Sequence, residues 1–378
     1  MAERGAAEPR LAVVYQQMSP TRVPVFDAVH DLLGSAFRVF YPSVLEGDRD
    51  PKWSGTPARH QYTLLRPRSF SYSYGSMKRY VHVNPDVWPA LKGFRPDCVG
   101  IWNFNPTMLL AWLYARRAGT AFIVGTDGCL RSDRFNTAAH RWVRRRVFPT
   151  ADACVGTSAN SRDLFHYWGQ PNEACFDCWL VADTEKFAPY RDQPREYDLL
   201  FSGQFIERKL PHFFVDVIER LRREKPDVSA LLIGDGPLRA GVLERLDALG
   251  VRYSAPGFLG RDAIPAAYGS AKIFLFPTKL DAYGVVANEA LAVGLPILAN
   301  EEPGAVGEVI LDGETGFVLP LEADAWARAA GRLLSDDQLY RRLSNRGIAL
   351  IQRYTPEAAA EGLVAAFRYA LTRREVRR

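Results

Sequence analysis

Residues 273–300 read IFLFPTKLDAYGVVANEALAVGLPILAN, and no other stretch of the chain narrows its fold as much. Ile273, Phe274, Leu275 and Phe276 form a short apolar run closed by Pro277, the mark of a strand buried on both faces of a parallel sheet. Residues 278–283 are a polar loop. From Gly284 onward, Val285, Ala287, Ala290 and Leu291 keep helical spacing over residues 285–293; Gly294 is the stop, and Pro296 opens a second apolar strand ending at Ala299. At the helix start, around Gly284, Val285 and Val286, unpaired N–H groups and the positive end of the helix dipole favour an anion, most often a phosphate. Two carboxylates bracket that point: Asp281 in the loop and Glu289 eight residues later. Close to a diphosphate they would repel it, so they suit neutral hydroxyls, such as those of a sugar and a ribose.

Asp281-x7-Glu289 followed by Ala290-Leu291-Ala292-x-Gly294-Leu295-Pro296 resembles the Glu-x7-Glu signature of retaining nucleotide-sugar glycosyltransferases of family 4. The resemblance implies an α/β GT-B fold, in which two Rossmann-like doubly wound domains face a cleft and the C-terminal helix crosses back to the first domain. It further implies that Asp281 faces the donor sugar and Glu289 the nucleotide ribose. This chain departs from the family in carrying Asp281 where Glu is usual, a shorter side chain that moves the sugar, selects another one or weakens transfer.

A length of 378 residues suits two domains rather than one. A hydrophobic fraction of 47% with 24% charged residues is that of a soluble globular protein, and a formal net charge of +5 permits attraction to phosphates or anionic lipid without indicating nucleic acid. The polar start MAERGAAEPR lacks the apolar core of a signal peptide, and no apolar stretch approaches the roughly 20 residues that span a bilayer. A cytoplasmic protein is expected, with peripheral contact on the inner face of the membrane as an option. Five cysteines, an odd number in a long chain, read as reduced thiols; the Cys175-x-x-Cys178 spacing has no second Cys or His pair nearby. Without HExxH or His-x-His patterns, no protein-held catalytic metal and no cofactor are expected.

In chain order, strand 11–15 runs into Gln16, Gln17, Ser19 and Arg22 and then a helix over 25–33, the opening unit of a doubly wound domain. Gln17, Ser19 and Arg22 are candidates for the acceptor side, the alternative being a surface loop. Residues 48–80 mix basic residues with Trp53, Phe70, Tyr72 and Tyr74, which suits a sugar or lipid-headgroup surface or an irregular loop with no ligand. Helix 107–118 stops at Gly119. Strand 121–124 ends in Gly125-Thr126-Asp127-Gly128; relatives place a histidine at this strand end near the donor sugar, and the resemblance puts Asp127 there, as a catalytic candidate or as an Asx-type turn. Residues 131–148 interleave six arginines with Phe135, Trp142, Val143 and Val147, which reads as a helix lying against anionic lipid or as a buried helix with a solvated basic face. Residues 189–195, polar with two prolines, are the expected linker, which sets the domains at 1–190 (acceptor), 191–355 (donor) and a final helix over 356–378.

The second domain opens with strand 199–202 and Gly203-Gln204-Phe205-Ile206-Glu207-Arg208-Lys209. Relatives carry Gly-Arg here with Lys five residues after the Arg, both cations holding the donor diphosphate. Lys209 keeps its place, Gln204 replaces the Arg, and Arg208 is a neighbouring substitute. Gly234 and Gly236 form a turn that relatives set beside the nucleotide, and Phe258 and Leu259 fall where relatives bring backbone near the base. Catalytic candidates are thus Asp127, Asp281 and Lys209; donor-binding candidates are Gly203, Gln204, Arg208, Lys209, Gly234, Gly236, Phe258, Leu259, Asp281, Tyr283, Gly284, Val285, Val286 and Glu289. The expected reaction is metal-independent front-face transfer of a hexosyl unit from a UDP- or GDP-linked sugar to a hydroxyl of a glycan, lipid-linked or small-molecule acceptor. The departures at Asp281, Gln204 and Asp127 keep open a non-catalytic or altered nucleotide-sugar binder, and a GT-B epimerase is a further alternative.

Overall fold

The computed structural model describes residues 8–44, 57–74, 77–134 and 136–376, so Trp53 and Phe135 lie outside the described residues, as do the side chains of Tyr72 and Tyr74. The chain divides into two compact units, Met1–Leu180 with Pro356–Arg378, and Val181–Thr355.

The first unit holds strands β1 (Leu11–Val14), β2 (Phe37–Tyr41), β3 (Tyr62–Leu64), an antiparallel hairpin of β4 (Ser69–Tyr74) and β5 (Met77–His82), then β6 (Cys98–Trp102), β7 (Ala121–Thr126), β8 (Ala153–Gly156) and β9 (Cys175–Asp177). Seven of them form one parallel sheet in the order β3-β2-β1-β6-β7-β8-β9. Every residue of β1, β6, β7 and β8 is buried, which is why these strands read as unbroken apolar runs rather than alternating ones. The crossover helix Pro106–Ala118 carries its own punctuation. The Asn105 side chain accepts from the Met108 N–H, Pro106 takes the first turn, and Gly119 ends the helix at φ 69°.

The second unit contains β10 (Tyr197–Ser202), β11 (Ser229–Ile233), β12 (Arg252–Gly257), β13 (Ala271–Phe276), β14 (Ile297–Ala299) and β15 (Gly316–Val318). They pair in parallel in the order β12-β11-β10-β13-β14-β15. Its core joins the apolar face of helix Pro211–Leu221 (Phe214, Val217, Ile218) to Trp326, Ala330 and Leu333 of helix Ala323–Ser335 across β10 and β11.

Two expected boundaries move. The linker expected at 189–195 is not loose chain. Phe187 packs edge-on against Tyr268 at 6.0 Å, Arg191 Nε donates to the Ala292 carbonyl (2.8 Å), and Arg195 binds the Gly269 and Val293 carbonyls (both 2.7 Å), so 184–195 belongs to the second unit. The single helix expected over 131–148 is broken into Leu130–Asp133 and Ala138–Val147, because Thr137 caps a new start by accepting from the His140 N–H.

The last helix, Pro356–Val376, packs on helix Val23–Leu33 and on β7, β8 and β9 of the first unit, and Arg373 Nη1 donates to the Asp152 carbonyl at 3.0 Å. Leu363 on this helix is fully buried. Leu363→Ala should lower unfolding stability by about 2–5 kcal/mol, the cost of a large-to-small change in a close-packed core. A urea midpoint equal to that of the native chain would show the helix to be dispensable to the fold.

Candidate active site

In a sheet wound both ways from its centre, the crossovers depart in opposite directions at one point, and ligands settle beyond the carboxyl ends there. In the second unit that point lies between β10 and β13. Past β10 the chain makes the turn Glu207–Lys209, and past β13 it makes the loop from Thr278 to Asp281. The two are stitched together. The Lys279 N–H donates to the Arg208 carbonyl (2.8 Å), the Thr278 hydroxyl lies 2.9 Å from the same oxygen, and the Arg208 guanidinium donates to the Leu280 carbonyl (2.6 Å). This stitching brings the Lys209 ammonium onto Asp281 Oδ2, with the ammonium 5.2 Å from the Phe276 ring. Burial raises the Asp281 pKa, but the charges of Lys209 and Arg208 outweigh it and hold this carboxyl below its ordinary range. Asp281 therefore does not stand open toward a sugar, as expected from sequence, but is engaged by the lysine expected to meet phosphate.

Three further loops join at the same edge. The Gly203 N–H donates to the Ile233 carbonyl (3.0 Å), the Phe205 N–H to Asp235 (2.9 Å) and the Gly234 N–H to Gly257 (2.9 Å). Gly234 sits at φ 123°, and a Cβ there would fall 2.0 Å from the Gly203 carbonyl oxygen, so only glycine lets these loops close up. Gly236 lies in the same turn, Gln204 is exposed, and Phe258 and Leu259 leave Gly257 half-buried.

Glu289 rides on the short helix Val286–Ala292, which starts one residue later than expected, after Gly284 and Val285, whose carbonyls accept from Ala287 and Asn288 (both 2.9 Å). Burial pushes the Glu289 carboxyl up to about 7, opposed by the Tyr268 hydroxyl and the Arg261 guanidinium. Tyr283 is a correction. The residue is 1% exposed and its hydroxyl donates to Asn288 Oδ1 at 3.2 Å, so its side chain packs in the core rather than facing the sheet edge. The apolar ring takes that place because the loop before the helix must be anchored from beneath.

The corresponding reversal in the first unit lies between β1 and β6. Asp127, just past β7, accepts from the Tyr15 hydroxyl (3.0 Å) and from Arg22 Nη2 (2.8 Å), while Arg22 Nη1 donates to the Cys178 (2.8 Å) and Trp179 (3.1 Å) carbonyls. Arg22 is fully buried, and although burial lowers its pKa, the Cys178 and Asp127 groups raise it above its ordinary range. Arg22 is thus corrected from an acceptor contact to an internal strut. The Asp127 carboxylate, its side chain 23% exposed, is the polar group presented at this edge. Near it, Asn103 Nδ2 donates to Gln16 at 3.2 Å. Gln17 bridges to Ser43, and Ser19 turns inward, its hydroxyl bonded to Thr21 (2.7 Å) and its carbonyl accepting from Arg22 and Val23 at the helix start. Sequence reasoning missed Tyr15, the residue straight after β1, and Tyr268 and Arg261, which lie close before β13. For Tyr15 the signal was its place at the strand's carboxyl end; Tyr268, inside a helix, and Arg261, in the loop before it, gave none.

On helix Ala138–Val147 the aromatic and basic residues do not segregate into one stripe and its opposite. Trp142 is 60% exposed with the Arg146 guanidinium 5.0 Å from its ring, whereas Arg144 is drawn in between Asp133 (2.9 Å) and the Phe104 ring (4.6 Å). Arg141, Arg145 and Arg146 stay exposed beside Trp142. All five cysteines are free and buried. Among the described residues, no group of His, Cys, Asp and Glu side chains gathers as a metal site, and no helix is long and apolar enough to cross a membrane.

Residues 183–350 match the family described as Glycosyl transferases group 1. The chain is 28% identical over 334 residues to the GDP-mannose-dependent alpha-(1-6)-phosphatidylinositol monomannoside mannosyltransferase of Mycolicibacterium smegmatis, covering 79% of this chain and 82% of that protein. It is 27% identical over 252 residues to the alpha-D-kanosaminyltransferase of Streptomyces kanamyceticus, covering 62% of this chain and 65% of that one. In fold it is similar to Anabaena HepE, solved in complex with UDP and glucose, with a TM-score of 0.71 at 16% identity over 95% of this chain and 99% of HepE.

The Lys209–Asp281 pair makes a stability prediction for the ligand-free protein. Lys209→Met leaves the carboxylate half-buried without its cation and should cost about 1–3 kcal/mol, whereas adding Asp281→Asn to it should recover most of the loss. Because the Asp281 value is depressed on folding, the contribution of the pair is full above the unfolded aspartate value near about 4 and disappears as pH falls through the folded value. Urea titrations of the double-mutant cycle at neutral and acid pH check both; additive losses at neutral pH would mean that the pair is not coupled.

Proposed function

We propose that this GT-B glycosyltransferase, whose residues 183–350 carry the group 1 pattern, moves a hexosyl unit from a UDP- or GDP-linked sugar to a hydroxyl acceptor with retention of configuration. The observation that carries the reading is the charge pair Lys209–Asp281 at the carboxyl edge of β10 and β13, with Glu289 on the helix that follows. Bond cleavage leaves negative charge on the departing diphosphate and positive character on the sugar. Lys209, with Arg208 beside it, is preorganised for the first. Asp281, released from Lys209 as the lysine turns to phosphate, is free to accept from sugar hydroxyls. Glu289 accepts from the ribose, and the Gly203, Gly234 and Phe258 loops take the nucleotide.

The leaving phosphate, rather than a protein carboxylate, takes the acceptor proton, so the new glycosidic bond forms on the face the diphosphate leaves. With the leaving-group charge met by side chains and backbone, the step is written without metal or cofactor. In the first unit, Asp127, held by Tyr15 and Arg22, is a hydrogen-bond acceptor for sugar or acceptor hydroxyls. UDP in HepE and GDP-mannose in the name of the mycobacterial relative support these two donor classes, and that relative's phosphatidylinositol glycoside supports a lipid-linked acceptor. Exposed Trp142 with Arg141, Arg145 and Arg146 then fits peripheral contact with anionic lipid at the inner face of a cytoplasmic membrane.

A thermal-shift series with UDP, GDP, ADP and TDP should show stabilisation by one nucleotide, growing with its concentration. Glu289→Ala should cut that affinity by about 1–3 kcal/mol, the worth of hydrogen bonds to a charged group; a wild-type chain that no nucleotide stabilises would favour the non-catalytic reading. For the membrane contact, Arg145→Ser with Arg146→Ser should weaken sedimentation with phosphatidylserine vesicles roughly thirtyfold, at about 1 kcal/mol per arginine. Equal binding to neutral vesicles would count against it.

A further inference from the structure

Tyr268 is fully buried, and its ring is held by Phe187 and Phe274, each with centroids 6.0 Å away. No group meets its hydroxyl in full hydrogen-bond geometry, although polar groups face it. A buried hydroxyl without a fully formed bond is unfavourable and calls for a reason. The groups facing it are the Glu289 carboxyl and the Ser202 hydroxyl, and Ser202 is the last residue of β10, next to Gly203 of the donor loops.

The helices that carry the two side chains share one clasp. Arg195 donates through Nη1 to the Gly269 carbonyl (2.7 Å), at the end of the Tyr268 helix Ile264–Gly269, and through Nη2 to Val293 (2.7 Å), at the end of the Glu289 helix. Arg191 adds a bond to the Ala292 carbonyl at 2.8 Å. The last carbonyls of both helices are thus tied to the same guanidinium, which fixes the separation between Tyr268 and Glu289.

We infer that Tyr268 is a positioning residue whose hydroxyl donates to the Glu289 carboxylate when the donor binds and aims the other carboxylate oxygen at the ribose hydroxyls; this rests on the donor-site reading above. In the empty site Glu289 is partly protonated near neutral pH, since burial pushes it up to about 7, and the groups acting on it are the Tyr268 hydroxyl and the Arg261 guanidinium. Ribose hydroxyls donate to the ionised form, so binding below that value expels the Glu289 proton to solvent. Tyr268 favours the carboxylate, and its loss moves the ionisation upward.

The test is calorimetric titration of the full chain with UDP-glucose and GDP-mannose between pH 5.5 and 8.5, as wild type, Tyr268→Phe and Glu289→Gln; neither diphosphate diester titrates in this range. For the sugar nucleotide that binds, wild-type affinity should fall about tenfold per pH unit below the Glu289 value. Tyr268→Phe should keep its melting temperature, having lost a hydroxyl that no group meets in full geometry, and shift the acid limb to higher pH, because that hydroxyl faces the Glu289 carboxyl and favours its charged form. Glu289→Gln should lose the limb. A Tyr268→Phe profile superimposed on the wild type would reduce Tyr268 to packing and overturn the inference while leaving the donor site intact. An acid limb that survives in Glu289→Gln would overturn it at Glu289. Failure of both sugar nucleotides to bind the wild type would overturn the donor-site reading itself, and the inference with it.

Discussion

A parallel sheet can gather polar side chains only where no crossover helix covers its carboxyl edge, and that happens once per sheet, where the strand order turns back on itself. In both units this constraint decides which residues meet. Between β10 and β13 it assembles the turn after Ser202 and the loop after Phe276, and between β1 and β6 it leaves Tyr15, Gln16 and Asn103 near Asp127. Strands buried on both faces are what force the chemistry to the edge: β1, β6, β7 and β8 carry no charged side chain, and the hydroxyl of Thr126 stands only at the carboxyl end of β7.

At each edge an aspartate is held by a cation, yet the two pairs differ in kind. Arg22 is sealed in, and its guanidinium also binds two main-chain carbonyls, so the Asp127 carboxylate is fixed in place. Lys209 ends in a compact ammonium on a flexible stem, a point charge that can turn from Asp281 to another anion without breaking a bidentate fork. The first arrangement suits a group that orients a substrate, and the second suits one that changes partners during a reaction.

The apolar rhythm of the chain made the parallel sheets, the crossover helices and the stop at Gly119 legible, because strand burial and helix capping are local in sequence. The Asp281-x7-Glu289 spacing located one edge of the second sheet for the same reason. What stayed hidden depends on contacts made across long stretches of chain. Arg22 reads as a loop cation until Cys178 and Trp179, more than 150 positions away, are seen to accept from it. Tyr283 reads as a site residue because it lies inside the motif, but only the fold shows its ring turned inward. Residues 189–195 read as a linker from their polarity and prolines, and two arginines bonded to distant carbonyls make them part of the second unit.

The discontinuity of the first unit bears on how the chain is made. Residues 181–355 are continuous and supply every strand of their own sheet, whereas the first sheet must wait for Pro356–Val376 to cover β7, β8 and β9. The usual order of synthesis-coupled folding, amino-terminal domain first, is thereby reversed for completion. The unit translated first is finished last, and its incomplete apolar sheet face is the surface a chaperone would meet.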